Sequence, residues 1–213
     1  MIISIVTDQS SWINSRIKAF VSKIQERQHI VKLFYHHEEL SKGDICFIIS
    51  YSKIIPKSFL DLHSSNVVIH ESELPKGKGW SPMTWQILEG KTSIPFTLFE
   101  ASAEGVDAGV IYIRDNVFLE GNELVDEWRD KQAEKTFEMS LRFLDNYQYY
   151  SEHFETQSGP DSFYRKRTVI DSELDINSSL FDQFNLLRVV DNEKYPAYFI
   201  KDGKKFIIKI FNG

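Results

Sequence analysis

Val67-Val68-Ile69-His70-Glu71-Ser72-Glu73-Leu74-Pro75-Lys76-Gly77-Lys78-Gly79 reads as a buried strand that ends on a histidine and breaks into a loop. The apolar run delivers the imidazole to a strand end, and one proline with two glycines then forces the turn. In open α/β sheets a polar side chain at such an end, where a loop begins, is a frequent place for chemistry.

Outward from this stretch, continuous apolar runs alternate with helical patterns. Ile2 to Val6 reads as a first strand that stops at Thr7-Asp8. A helix follows, with Ile13, Ile17, Phe20, Val21 and Ile24 at helical spacing. Ile30 to Tyr35, Ile45 to Ser50 and Asn66 to His70 read as strands, and Trp80 to Leu88 as a helix. This alternation implies βαβ units and a parallel sheet. Phe96 to Glu100 and Val110 to Phe118 read as further strands. Asp126 to Tyr147 reads as a long helix whose buried stripe is Ala133, Phe137, Ser140, Leu141 and Leu144.

After Tyr147 the composition changes. Gln157-Ser158-Gly159-Pro160-Asp161-Ser162 is turn-rich, and a boundary is expected near residue 150, giving domains 1–150 and 151–213. The second part is expected to hold a short helical pattern from Ile176 to Leu187. It should end in a hairpin around Asp202-Gly203. The expected fold class is therefore α/β, Rossmann-like with a mostly parallel sheet, plus a small C-terminal α+β subdomain ending in a β-hairpin.

The chain has 213 residues, 42% of them apolar and 14% aromatic, which suits a globular fold with a real core. A net charge of −6 argues against a nucleic-acid partner, because the summed field repels phosphate. The one cysteine, Cys46, lies in an apolar run and reads as a small hydrophobe. His36-His37-Glu38-Glu39 places four ligand-type residues in a row. Adjacent residues point in different directions and no spaced partner pair exists, so no metal site is expected. No apolar stretch approaches the ~20 residues of a membrane span. The N-terminus lacks a basic region before its apolar residues, and the expected location is cytoplasmic.

A second punctuated segment, Glu104-Gly105-Val106-Asp107-Ala108-Gly109, follows the histidine loop. A histidine and a carboxylate on neighbouring strand ends can stabilise an oxyanion and move a proton, which are two needs of acyl transfer to an amine. Together the two segments resemble the formyltransferase family that uses 10-formyltetrahydrofolate, in which a His-x-Ser-x-Leu-Pro loop faces an Asp-x-Gly loop. The resemblance implies that His70 hydrogen-bonds the oxyanion. It also implies that Asp107 orients His70, raises its pKa and helps move the proton from the attacking amine. The family usually carries Asn two residues before the histidine, and Val68 stands there. Asn66 shares the face of His70 but lies ~6.6 Å further down the strand, too deep to substitute directly. Either His70 and Asp107 suffice, or another group supplies the hydrogen bond, or the alignment slips locally.

By position, the family's backbone contacts to the pterin fall on Tyr51, Ser52, Lys53 and Ile54, and on Glu104, Gly105 and Val106. Ser72, Lys76, Lys78 and Trp80 are the expected substrate-binding residues. The two lysines, on a loop loosened by Gly77 and Gly79, suit a diphosphate. The tail segments Tyr164 to Thr168, Asp171 to Asp175, Phe184 to Val189 and Asp191 to Ala197 resemble sugar N-formyltransferases, nearest to short members of pseudaminic-acid-type pathways. The expected reaction moves formyl to the 4-amino group of a UDP- or dTDP-linked 4-amino-4,6-dideoxy sugar, and the expected partner is that nucleotide-linked amino sugar. The resemblance also implies a homodimer through the tail. Rival readings are a formyltransferase for methionyl-tRNA or glycinamide ribonucleotide, and a non-catalytic nucleotide-sugar or folate-binding module.

Overall fold

The computed structural model describes residues 1–213. In chain order the elements are β1 (Ile2–Val6), α1 (Asn14–Glu26), β2 (Ile30–Phe34), β3 (Ile45–Ile48), α2 (Lys57–Leu60), β4 (Ser65–His70), β5 (Lys78–Gly79), α3 (Pro82–Leu88), β6 (Ser93–Glu100) and β7 (Ile111–Phe118). There follow α4 (Val125–Asp145), α5 (Tyr147–Glu152), β8 (Phe163–Tyr164), α6 (Phe184–Val189), β9 (Ala197–Lys201) and β10 (Lys204–Ile208).

Six strands form the central sheet in the order β2-β1-β3-β4-β6-β7. The first four run parallel, and β6 and β7 are added antiparallel at the far edge. β1 and β3 are buried along nearly their whole length, as strands covered on both faces must be. On one face Phe20 of α1 stacks on Phe137 of α4 at 4.7 Å and meets Phe47 of β3 edge-on at 5.8 Å. Val6, Leu40, Cys46, Ile48, Ile55 and Leu60 build a smaller core on the other face. Burial there pushes the Cys46 thiol up to about 12, so it packs as a hydrophobe. Because β1 has β2 on one side and β3 on the other, the crossovers reverse direction at this point. Open α/β sheets bind ligands in the crevice at the carboxyl ends of such strands.

The expected buried stripe of α4 is buried in full. The long helix stops two residues earlier than expected, where the Asn146 side chain donates to Arg142 O at 2.9 Å and competes with the helix backbone. The helix expected over 176–187 begins only at Phe184. Upstream, Asp175 accepts from Asn177 N and Ser179 Oγ from Asp182 N, so side chains take backbone donors that a helix would need. The hairpin β9–β10 pairs Lys201 with Lys204 around Asp202-Gly203 as expected.

The boundary drawn at residue 150 falls inside α5. The segment beyond it returns to the main sheet's loops. β8 pairs in parallel with β5, next to the histidine loop. Arg188 of α6 is 2% exposed and bonds both Glu123 O and Glu123 Oε2, while Trp128 Nε1 donates to Arg188 O. No helix is long and apolar enough to cross a membrane.

Candidate active site

A cavity of about 760 Å³ opens at the carboxyl ends of β1, β3 and β4. Asp8, Ser50 and His70, at or just beyond those ends, all line it. Three of the five non-glycine residues with left-handed backbone lie on its wall: Ser50 (φ 48°), Ser81 (φ 48°) and Asp107 (φ 53°). Such conformations cost free energy and concentrate at functional sites, and Asp bears them better than most residues.

His70 and Asp107 converge on this wall. The loop between β6 and β7 folds back over the sheet and brings Asp107 Oδ2 to 3.7 Å from His70 Nε2. Both side chains are largely withdrawn from water, at 9% and 12% exposure. The hydrogen bond that fixes the ring, however, runs from Nε2 to Gly77 O at 2.8 Å. Asp107 Oδ2 in turn accepts from Gly79 N at 2.9 Å. The carboxylate thus holds the histidine loop by its backbone and faces the imidazole as a charge, whereas the expectation gave it the direct orienting bond. Two glycines make this closeness possible. A Cβ on Gly79 (φ 96°) would lie 2.5 Å from Tyr164 O, and one on Gly109 1.8 Å from Glu100 O.

The two expected pterin loops line the cavity through Tyr51, Ser52, Lys53, Ile54, Gly105 and Val106, while Glu104 stays off its wall. The Tyr51 hydroxyl is engaged by His37, accepting from its backbone N at 3.1 Å. Ser52 N donates to Asp8 Oδ2 at 3.1 Å, which ties this loop to the end of β1. Trp80 also lines the cavity, with Lys166 over its ring at 4.5 Å.

Ser72, Lys76 and Lys78 are not brought to the wall. Ser72 is buried beneath the loop, its carbonyl accepting from Thr97 Oγ1 at 2.6 Å. Lys78 lies over the Phe163 ring and reaches Asp161 at 3.5 Å. Lys76 is exposed and stands off the cavity. Gly77 and Gly79 serve a close approach by the chain's own strand β8, and the Lys78 side chain follows that strand. Arg165 pairs with Asp171 and Arg167 donates to Asp171 O, so the basic tail cluster is largely committed internally.

Val68 lines the cavity where the family's Asn was expected. Asn66 stays below it, donating through Nδ2 to Leu60 O at 3.0 Å. Its backbone N donates to Glu100 Oε1 at 2.6 Å, and Tyr112 OH donates to Glu100 Oε2 at 3.0 Å. Burial pushes the Glu100 carboxyl up to about 7.

Residues that sequence reasoning did not single out complete the far wall: Trp12, Glu71, Trp128, Arg129, Gln132 and Thr136. Trp128, Gln132 and Thr136 recur every fourth residue along one face of α4, and polar groups within an otherwise buried face were the available signal. Arg129 pairs with Asp191 at 3.1 Å. Gln132 Nε2 donates to Glu71 Oε1 at 2.6 Å. Desolvation raises the Glu71 pKa, while His70 and the Gln132 bond pull the other way.

The profile of the formyl transferase family matches residues 16–142, which contain β2 to β7, His70 and Asp107. A methionyl-tRNA formyltransferase from Thermodesulfovibrio yellowstonii is 25% identical over 171 residues, covering 78% of this chain and 54% of its own. The chain spans about half, or less, of the length of the curated relatives it matches. Among solved structures, a methionyl-tRNA formyltransferase from Clostridium thermocellum superposes with a TM-score of 0.78 at 22% identity over 100% of both chains. HypX from Aquifex aeolicus, solved with tetrahydrofolic acid, gives 0.81 at 20% identity over 98% of this chain and 37% of its own. A 4-N formyltransferase from Francisella tularensis gives 0.73 at 19% identity over 98% and 96%. At these identities the structural likeness is one of fold. The family profile covers more than half of the chain and spans the strands and loops that bring His70 to Asp107, and on that ground the chain belongs to the formyl transferase family.

Proposed function

We propose that the protein transfers formyl from 10-formyltetrahydrofolate to the 4-amino group of a nucleotide-linked 4-amino-4,6-dideoxy sugar, with UDP-4-amino-4,6-dideoxy-N-acetylhexosamine the first choice. The observation that carries the reaction is the meeting of His70 and Asp107 on one cavity wall. The sugar acceptor is supported by the likeness to the Francisella 4-N formyltransferase over nearly the whole of both chains. The tail motifs resembling sugar enzymes support it too, as does the internal commitment of Arg165 and Arg167. A methionyl-tRNA acceptor is the second reading, favoured by the names of the curated relatives and by the Clostridium structure.

The cavity fits a folate. Its volume lies in the range of small-molecule sites, and Ile48, Ile49, Ile55 and Phe99 give apolar walls. The loops carrying Ser52 and Gly105 line the cavity beside them, with Ser52 N already held by Asp8. When bound, the folate supplies an already activated formyl group. The protein's own part is binding, orientation and proton handling. Gly77 O fixes the His70 ring at Nε2, and its Nδ1 has no partner within the chain. His70 is the group that supports charge developing on the carbonyl oxygen, and Asp107 at 3.7 Å stabilises a positive imidazole. Trp80 and Lys166 at the mouth are the candidate contacts for the nucleotide, in place of Lys76 and Lys78.

A homodimer belongs to the same proposal: Ile200 and Ile207 share one face of the terminal hairpin and both stay exposed there. Sedimentation at the mass of one chain would remove it.

The deciding experiment offers purified protein 10-formyltetrahydrofolate and a panel of UDP- and dTDP-linked 4-amino sugars, with methionyl-tRNA beside them, and reads products by mass. A gain of one formyl on a sugar supports the proposal. Formylation of the tRNA alone replaces it with the second reading, and binding without turnover points to a non-catalytic module.

A further inference from the structure

Three carboxylates line the cavity, those of Asp8, Glu71 and Asp107, and none pairs with a lysine or arginine. Asp8 accepts from Ser52 N, and Asp107 accepts from Gly79 N beside His70. Glu71 differs from both. It follows His70 directly in the chain, and Gln132 of α4 holds one carboxylate oxygen at 2.6 Å. Its other contact is with its own backbone N–H. Glu71 is half-buried and meets no lysine or arginine, and proteins normally pair a carboxylate held partly out of water. Glu71 is therefore placed to receive a positive group from outside the chain.

We propose that Glu71 is the acceptor-side base: it binds the ammonium of the incoming amino sugar and takes one proton from it. This rests on the amine acceptor argued above. The N–H bond of the ammonium breaks, and its electron pair stays on nitrogen as the lone pair needed for attack. The proton forms an O–H bond on Glu71 and is later returned to water. The carbonyl side remains with His70 and Asp107. The division of labour also answers the Val68 substitution. A carboxylate from the next residue along serves the nitrogen side of the reaction, where the family's Asn is missing from the wall. Desolvation raises the affinity of Glu71 for a proton, which is the direction an accepting base needs.

The groups that face Glu71 are His70, which precedes it at the end of β4, Asp107 from the opposite loop, Gln86 of α3 through the Glu71 carbonyl, and Gln132 of α4. Because Glu71 and His70 act on each other's charge, wild type and variant are compared at each pH, and the pH-dependent part of the deficit is read against the pKa of the acceptor amine. The test is Glu71→Gln, which keeps an acceptor for Gln132 and removes the base, assayed with the UDP-linked 4-amino sugar from pH 6 to 10. The expected kcat/KM loss is about 100-fold at pH 7 and shrinks to about threefold or less above the pKa of the amine, where the free amine needs no base. Glu71→Asp should recover part of the neutral-pH rate. A deficit that is constant with pH, or below about threefold at pH 7, overturns the inference while leaving the proposed function standing. Absence of amine formylation by the wild type overturns the function first and this inference with it.

Discussion

Replacing Asp107 by Asn separates its charge from its shape. Asn tolerates the left-handed backbone at φ 53° and still offers an oxygen to Gly79 N, so the loop should keep its place. What is lost is a negative charge 3.7 Å from His70 Nε2. For a positively charged imidazole, Coulomb's law at an effective dielectric of ~20 gives 332/(20 × 3.7), or about 4.5 kcal/mol. That dielectric is appropriate because both side chains are nearly withdrawn from water. Since ~1.4 kcal/mol is a factor of ten, Asp107→Asn should lower kcat/KM by about 10³-fold. Steady-state formyl transfer measures it, with a thermal melt as the control for folding. Asp107→Ala gives the contrast: it also strips Gly79 N of its acceptor and strains the backbone, so it should melt earlier as well as turn over slowly. An Asn variant within tenfold of wild type, folded and stable, would refute the electrostatic role.

Two further outcomes concern stability. Arg188→Met leaves Glu123 buried with only Lys131 and two backbone donors, and should cost about 3 kcal/mol in urea unfolding; a cost below about 1 kcal/mol would contradict the buried pair. Glu100, with a folded pKa of about 7 against 4.5 unfolded, holds in the native state a proton that the unfolded chain releases. Its contribution is complete below pH 4.5 and lost as pH rises through 7, about 3 kcal/mol in all. Glu100→Gln should remove that decline, so unfolding at pH 5 and pH 8.5 should differ less than in wild type. An equal decline in both proteins would disprove the assignment.

The strands of the parallel half were legible because each is an apolar run of its own, whereas the meeting of His70 with Asp107 was legible only through the family resemblance of their two loops. Side-chain direction within the histidine loop was not legible. Lys76 and Lys78 read as phosphate ligands on a flexible turn, yet β5 pairs with β8, a contact set 85 residues further along. That pairing swings Lys78 to Asp161 and Phe163 and leaves Trp80 facing the cavity. Glu71 was hidden for a similar reason. In sequence it is one acid among several, and it gains meaning only where Gln132 reaches it from α4. Local pattern exposes what a segment does alone, and these residues act through partners that only the packed chain supplies.

The same pairing makes the C-terminal segment a support for the wall that holds His70 and Asp107. Ser162 accepts from Gly77 N through its hydroxyl at 2.9 Å and from Lys78 N through its carbonyl at 2.9 Å. Tyr164 O accepts from Trp80 N at 3.0 Å. Gly77 is the residue whose carbonyl fixes His70, and Gly79 is the one whose amide meets Asp107. Each backbone group that meets the histidine and the aspartate therefore sits on β5 or just before it, in a stretch clamped from the other side by residues 162–164. A chain cut at the turn-rich stretch before Ser162 would keep His70, Asp107 and the whole central sheet, yet lose the clamp on the loop between them. The residues after 150 thus hold the loop between His70 and Asp107 in place through β5.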